Sequence, residues 1–163
     1  MTMIGKNPDG SQGAGVLPAE VGEVNTGLLL YIPYRAMENK VFAAVAAAGF
    51  EDLTLARGRI FQRIGPAGTR LTDLAEQAQV TKQAAGALVD ELERGGYVTR
   101  TPDPTDNRAR LVRIAERGAA AIEVASTVVA EVEAEWNTHV GAPQMAQLRR
   151  TLMKLREITD PYQ

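Results

Sequence analysis

The sequence contains no cysteine and only one histidine. The lack of cysteine excludes disulfides, thiolate metal sites and thiol-based redox sensing. His139 alone cannot form a multi-histidine metal site, so we expect neither a metal nor another cofactor. No apolar run reaches the roughly 18 residues that suggest a membrane span. The N-terminus also lacks the layout of a secretory signal, so we expect a cytoplasmic protein without a membrane partner.

The sequence also lacks the residue patterns of common enzyme active sites. It has no cysteine nucleophile, no glycine-rich phosphate-binding loop and no pair of carboxylates in an apolar setting. We therefore predict that the protein is not an enzyme.

Positive charge is scarce overall but concentrated in one region. The net charge is −2, yet residues 57–117 hold 11 basic and 8 acidic side chains, a net charge of +3. Residues 1–56 and 118–163 are both acidic. Because binding to phosphate depends on local charge, the middle third of the chain is the candidate region for a nucleic-acid site.

The chain of 163 residues has the length of a single domain. Residues 1–22 are rich in glycine, proline and polar residues without a helical period, which predicts a flexible tail. The remaining residues, 23–163, are mostly helix formers with apolar residues at helical spacing. We predict one mainly α (α+β) domain over that range.

The first two helices are predicted from their termini. A helix over residues 24–48 carries Pro33, which predicts either a kink there or a helix that begins near Tyr31. A second helix over 55–64 is predicted because Thr54 can cap its N-terminus.

Two short helices joined by a tight turn are predicted within residues 69–94. Ala75 provides the small residue where they cross, and the second helix is predicted over 82–94. This spacing is typical of a helix-turn-helix, whose second helix enters the DNA major groove by its N-terminus. That terminus and the exposed face behind it supply the candidate DNA contacts Thr81, Lys82, Gln83 and Gly86.

Two short alternating runs predict strands over 97–101 and 110–114, joined by a loop that contains Pro104. The stretch DPTDNRARLVRI (103–114) covers most of this loop and the second strand. A hairpin that follows a helix-turn-helix is a wing, and long cations at its tip suit the minor groove. We predict that Arg108 makes this contact and that Asp106 hydrogen-bonds to the arginine and holds its direction. A solvated edge hairpin protected by charge is the alternative.

The C-terminal residues 118–159 are predicted to form long helices that Gly141-Ala142-Pro143 divides. Their apolar stripes exceed what one short helix of a monomer needs, which favours a homodimer, although packing within the monomer remains open for each position. The stripes comprise Ile122, Ala125, Val129, Val132 and Trp136, and then Leu148, Leu152 and Leu155.

Residues 49–118 resemble the winged-helix core of the MarR (multiple antibiotic resistance regulator) family. The resemblance rests on LAEQAQVTKQAAGALVDELERGGYVTR and on the wing DPTDNRARLVRI with the following ERG. It implies a winged helix-turn-helix core with a two-stranded β-wing, flanked by N- and C-terminal dimerisation helices at 24–48 and 118–159. It further implies a homodimeric DNA-binding transcriptional regulator, commonly a repressor of a palindromic operator that responds to a small phenolic or aromatic effector.

The resemblance places several residues in the DNA interface. The candidate DNA-binding residues are Arg70, Thr81, Lys82, Gln83, Gly86, Arg100, Asp106, Arg108 and Arg110. The chain departs from the family where it has Gly86 in place of serine or threonine and Ala87 in place of arginine. The missing cation leaves open a second function, a winged-helix protein-interaction module with weak or no DNA binding.

A ligand cavity is predicted between the first two helices and the winged core. Its candidate residues are Tyr31, Tyr34, Arg35 and Arg59, which would offer aromatic rings and a guanidinium to an aromatic acid. The tyrosines could equally pack in a dimer interface, and that alternative stays open.

Overall fold

The computed structural model describes residues 24–160, so the predicted tail over residues 1–22 lies outside the described residues. The described residues divide into two compact units, with the boundary between Tyr34 and Arg35. Six helices and three short strands follow one another within the described range. Over this same range, no helix combines the length and the apolar character needed to cross a membrane.

Helix α1 (Thr26–Ala47) runs through Pro33 without ending there. The Asn25 side chain accepts a hydrogen bond from the Leu28 N–H at 2.9 Å, which caps the helix at its first turn. The alternative prediction of a start near Tyr31 is therefore wrong, whereas the predicted helical segment is confirmed. Gly49 follows the helix with a φ of 94°, a left-handed conformation that glycine adopts without strain.

The next helices are shorter and belong to the winged core. Helix α2 (Leu55–Phe61) begins after Thr54, whose hydroxyl accepts a hydrogen bond from the Arg57 N–H. The predicted end at residue 64 is wrong, because Arg63 and Ile64 donate to carbonyls three residues back and form a tight turn. Helices α3 (Leu71–Gln77) and α4 (Lys82–Arg94) follow, and α4 has the predicted bounds.

The strands form one antiparallel sheet in the order β1-β3-β2. Strand β1 (Thr69–Arg70) pairs with β3 (Asp106–Ile114), which also pairs with β2 (Val98–Asp103). The predicted wing is confirmed, but its strands are longer than predicted and its turn is correspondingly shorter. Backbone pairing extends past the last buried apolar side chains, Val98 and Val112, so the outer part of the hairpin has no apolar alternation to reveal it.

Two helices complete the chain, α5 (Glu116–Val140) and α6 (Ala142–Thr159). Gly141 separates them with a φ of 91°, which confirms the predicted break. Helix α6 contains no buried residue within the single chain. Its exposed large apolar residues are Leu148, Leu152, Met153, Leu155 and Ile158.

The core lies beneath the helix-turn-helix and the sheet, where Leu74, Val89 and Leu92 are fully buried. Tyr97 is 1% exposed and its hydroxyl donates a hydrogen bond to Asp52. Burial, followed by this bond, raises the pKa of Tyr97 to about 12. Arg117, in the first turn of α5, binds the same carboxylate at 2.9 Å, so α5 is joined to the core by a polar cluster.

Candidate nucleic-acid interface

Local interactions fix the start of helix α4. Gln79 has a φ of 56° and turns the chain after α3. The Val80 N–H then donates to the Ala75 carbonyl at 3.0 Å, which closes the turn. The Thr81 hydroxyl accepts a hydrogen bond from the Ala84 N–H at 3.1 Å and caps α4, as predicted. This cap uses the oxygen as an acceptor and leaves the hydroxyl proton available for a phosphate.

The exposed face of α4 carries the candidate contacts. Lys82 and Gln83 are both exposed at its N-terminus, and Gly86 lies half-buried one turn later. Ala87 is exposed as well, so the second turn of this face carries no long polar side chain. The apolar side of the same helix is anchored by residues that are not exposed at all, Ala85, Val89 and Leu92.

The wing turn is built around Asp103, which is 4% exposed. One carboxylate oxygen accepts hydrogen bonds from the Thr105 N–H at 2.8 Å and from the Thr105 hydroxyl at 2.7 Å. The other oxygen forms an ion pair with Arg70 at 2.6 Å. The Thr105 hydroxyl and N–H, followed by Arg70, lower the pKa of Asp103 to about 2.

Asp106 does not hold Arg108 in the predicted way. Its carboxylate accepts a hydrogen bond from the backbone N–H of Arg108 at 3.0 Å, so the bond fixes the strand and leaves the guanidinium unbound by that carboxylate. The carboxylate that orients an arginine is Asp103, which binds Arg70. Sequence reasoning missed this role. An aspartate in a turn often accepts a hydrogen bond from the N–H two residues later, as Asp103 does from Thr105, and this arrangement is called an Asx turn.

A cleft of about 450 Å³ lies between the N-terminus of α4 and the wing. Five predicted residues line it, and all five are basic: Arg70, Lys82, Arg100, Arg108 and Arg110. Its floor and rim are completed by Leu71, Thr72, Ala109 and Val112, of which none was predicted. Thr81, Gln83, Gly86 and Asp106 do not line this cleft. We call this feature the basic cleft.

The cations of the basic cleft differ in their partners. Arg100 binds Asp90 at 2.6 Å and also binds Glu93, and Arg70 binds Asp103. Within residues 24–160, the side chains of Lys82, Arg108 and Arg110 form no ion pair. These three side chains therefore supply most of the positive potential that a phosphate would meet.

The residues predicted to bind an aromatic acid lie on two helices. Tyr31, Tyr34 and Arg35 are exposed on α1, and Arg59 is exposed on α2. None of them lines the apolar cavity that the structure contains among α1, α2 and α5. Their role in binding a ligand stays a prediction.

Comparison with known proteins places this geometry among transcriptional regulators. A model of the MarR family matches residues 51–109. The HTH-type transcriptional repressor Rv2887 of Mycobacterium tuberculosis is 30% identical over 130 residues, which cover 79% of this chain and 91% of that protein.

Solved structures agree with this assignment of the fold. The crystal structure of the M. tuberculosis MarR family protein Rv2887 in complex with salicylic acid has a TM-score of 0.59 and 29% identity, over 82% of this chain and 98% of that one. A mutant MarR from E. coli complexed with operator DNA has a TM-score of 0.60 and 24% identity, over 79% of this chain and 91% of that one.

Proposed function

The chain belongs to the MarR family of DNA-binding transcriptional regulators, and from this premise we propose that it represses transcription by binding a palindromic operator as a homodimer. The basic cleft is the observation that carries the proposal, because it combines the N-terminus of α4 with the wing in one positively charged surface. A relative that is a repressor and a structural neighbour complexed with operator DNA support it.

We assign the predicted contacts to two grooves. The N-terminus of α4 enters the major groove, where Gln83 reads a base and Lys82 and Thr81 bind phosphate. The wing reaches the minor groove through Arg108, while Arg110 faces the phosphates beside it. Gly86 and Ala87 offer the DNA no polar side chain, so we assign base reading by α4 to its first turn.

The homodimer follows from the unpartnered apolar surface of the terminal helices. On α6, Ile158 is 83% exposed and Met153 is 61% exposed, which is costly for a monomer in water. A dimer would bury such residues and present two α4 helices to half-sites about 34–36 Å apart. Deletion of residues 143–163 should give monomeric or aggregated protein with negligible operator affinity. A full-length protein that sediments as a stable monomer at micromolar concentration would contradict the dimer.

The remaining assignments follow from the regulatory role. We infer that the protein is not an enzyme and that it acts in the cytoplasm, where it meets the DNA. We also infer that a small molecule changes its affinity for DNA, a proposal supported by the salicylic acid complex of the M. tuberculosis relative.

The direct test is a gel-shift titration with the DNA upstream of the protein's own gene. The unchanged protein should retard this DNA at nanomolar concentration and discriminate against random DNA of equal length. A double variant, Lys82→Ala with Arg108→Ala, should lose this binding. Arg94→Ala is the matched control, because Arg94 is an exposed cation of α4 outside the basic cleft.

The same titration tests the alternative function. A winged-helix module that binds only proteins would shift neither the upstream DNA nor the random DNA at physiological salt. The variant with both Lys82→Ala and Arg108→Ala would then behave like the unchanged protein. The small side chains of Gly86 and Ala87 and the neutralised Arg100 are the features that favour this alternative.

A further inference from the structure

The winged core is connected to α1 and α5 by two short stretches of chain, and Arg117 lies where they meet. The first stretch leads from the end of α1 to the start of α2 and contains Gly49 and Asp52. The second is Ala115, which lies between β3 and α5, and Arg117 belongs to the first turn of that helix. A side chain at this point is in a position to control the angle between the core and α5.

The Arg117 guanidinium donates hydrogen bonds to three separate segments. It binds the two oxygens of the Asp52 carboxylate at 2.9 and 3.1 Å. It also donates to the carbonyl of Gly95, directly after α4, at 2.7 Å, and to the carbonyl of Gly49, just after α1, at 3.4 Å. One side chain of α5 is therefore bonded to the ends of α1 and α4 and to the loop before α2.

This cluster contributes direction more than stability. The Arg117 side chain is 39% exposed and the Asp52 side chain 42%, so each bond is individually weak. A planar guanidinium that binds both oxygens of a carboxylate nevertheless has one favoured orientation. The Tyr97 ring supports this orientation, because its centroid lies 4.4 Å from the guanidinium carbon and its hydroxyl donates to the same carboxylate.

Close packing leaves the backbone around the cluster little room to rotate. A Cβ at Gly118 would lie 2.2 Å from the Tyr97 carbonyl oxygen, and a Cβ at Gly95 would lie 2.9 Å from the Tyr97 ring. The Tyr97 carbonyl also accepts a hydrogen bond from the Ala115 N–H at 2.9 Å. Because segments packed this closely transmit displacement, a rotation of α5 is passed on to the end of α4.

We propose that Arg117 is a positioning residue that fixes the angle between α5 and α4 and so selects the spacing of the operator half-sites. This role rests on the proposed function, because spacing matters only to a dimer that presents two α4 helices to one operator. One additional base pair moves a half-site by about 3.4 Å along the DNA and rotates it by about 34°. A dimer that holds its α4 helices rigidly cannot follow this change without losing contacts.

The first test measures the affinity for operators that differ only in spacing. The operator is located by footprinting in the DNA upstream of the protein's own gene, and two further duplexes have one base pair added or removed between the half-sites. Arg117→Ala should lower the preference for the native spacing by about 3- to 30-fold, the range in which single residues alter the coupling between two sites. Partial unfolding would weaken all three duplexes equally, so an unchanged preference would overturn the proposal.

Two other variants separate positioning from charge and from the loss of an ion pair. Arg117→Lys keeps the positive charge, but one ammonium group cannot reproduce the planar fork that binds both Asp52 oxygens and the Gly95 carbonyl, so the preference should fall here too. Lys40→Ala is the matched control. It removes an exposed ion pair with Glu135 at 2.6 Å, whose members lie on α1 and α5 rather than on the core, and it should keep the preference of the unchanged protein.

The second test needs no DNA. Because the chain has no cysteine, Ala87→Cys on α4 and Thr138→Cys on α5 place two spin labels at defined, exposed positions. Pulsed electron paramagnetic resonance measures the distance between them in the full-length protein, diluted with unlabelled protein. Arg117→Ala should broaden the distribution of distances, whereas Lys40→Ala should not. An unchanged distribution in Arg117→Ala would overturn the proposal even if the affinity for every operator fell.

The two tests distinguish this role from the proposed function. An unchanged protein that does not bind its own upstream DNA refutes the regulator, and the selection of half-site spacing is refuted with it. The distribution of distances still decides whether Arg117 holds α4 in place. A protein that binds this DNA with the same preference for spacing with and without Arg117 refutes the positioning role alone.

Discussion

Replacement of the basic residues of the cleft by alanine, one at a time, should separate them into two groups. Lys82, Arg108 and Arg110 form no ion pair within residues 24–160, whereas Arg70 and Arg100 are bound by carboxylates. A free cation that neutralises a phosphate releases a condensed counterion from the DNA. A guanidinium that carboxylates already neutralise releases few counterions. The salt dependence of binding should therefore fall mainly in the alanine variants of the first group.

The size of this effect follows from the number of contacts in a dimer. Each phosphate contact contributes about 0.9 to the slope of log K against log salt concentration. Because a homodimer carries every residue twice, each alanine variant of the first group should lower the slope by about 1.8. Between about 50 and about 200 mM salt, one contact corresponds to about a 3.5-fold change in affinity and two to about a 12-fold change.

Arg100→Ala should behave differently. It leaves Asp90 and Glu93 without their partner, so affinity should fall at every salt concentration, while the slope changes by less than about 1. Fluorescence anisotropy with a labelled operator at four salt concentrations measures both quantities. Arg94→Ala provides the control outside the cleft. Equal slope changes for Arg100→Ala and Arg108→Ala would refute the division into paired and free cations.

Three further substitutions test the fold that supports the interface. Asp103→Asn should weaken operator binding and lower the free energy of unfolding. The pKa of Asp103 is lowered from 3.8 to about 2, so the ionised carboxylate stabilises the fold fully above about pH 4 and progressively less as the pH falls towards 2. The cost of the substitution in urea titrations should therefore be smaller at pH 3 than at pH 7, and an equal cost at both would contradict this. Leu74→Ala should cost about 2–5 kcal/mol in the same titrations, because Leu74 is fully buried, and a loss below about 1 kcal/mol would show a loosely packed core. Gly118→Ala should cost about 1–3 kcal/mol or more, since a Cβ there would lie 2.2 Å from the Tyr97 carbonyl oxygen; Ala119→Ser, on the exposed side of the same turn, should leave stability within about 0.5 kcal/mol.

Helix α4 was predictable from sequence because its determinants are local. Thr81 caps it, Gly95 follows its last residue and Gly96 adopts a φ of 75°, so both ends are set within a few residues. The apolar spacing between these ends then assigns the buried face without reference to the rest of the chain. Similar local signals placed α1 and α5, while the cap at Asn25 was overlooked.

Strand β1 could not be predicted in this way. It has two residues, Thr69 and Arg70, which pair with Val112 and Leu111 some 40 positions later. Nothing in a dipeptide favours a strand, and its conformation depends on a partner that only the folded chain supplies. The extension of the wing strands beyond residues 101 and 110 has the same origin, since it depends on backbone pairing between residues that show no apolar alternation.

The partners of the charged side chains could be predicted only where they are close in sequence. Sequence proximity suggested Asp106 as the partner of Arg108, but folding brings Asp103 to Arg70, 33 positions away, and Asp90 to Arg100. The net charge of +3 over residues 57–117 therefore counts cations that carboxylates have already engaged. Those carboxylates subtract from the attraction for phosphate while they orient the arginines and the turn of the wing. The affinity for DNA should then depend on the few unpaired cations, and the geometry of the contact on the paired ones.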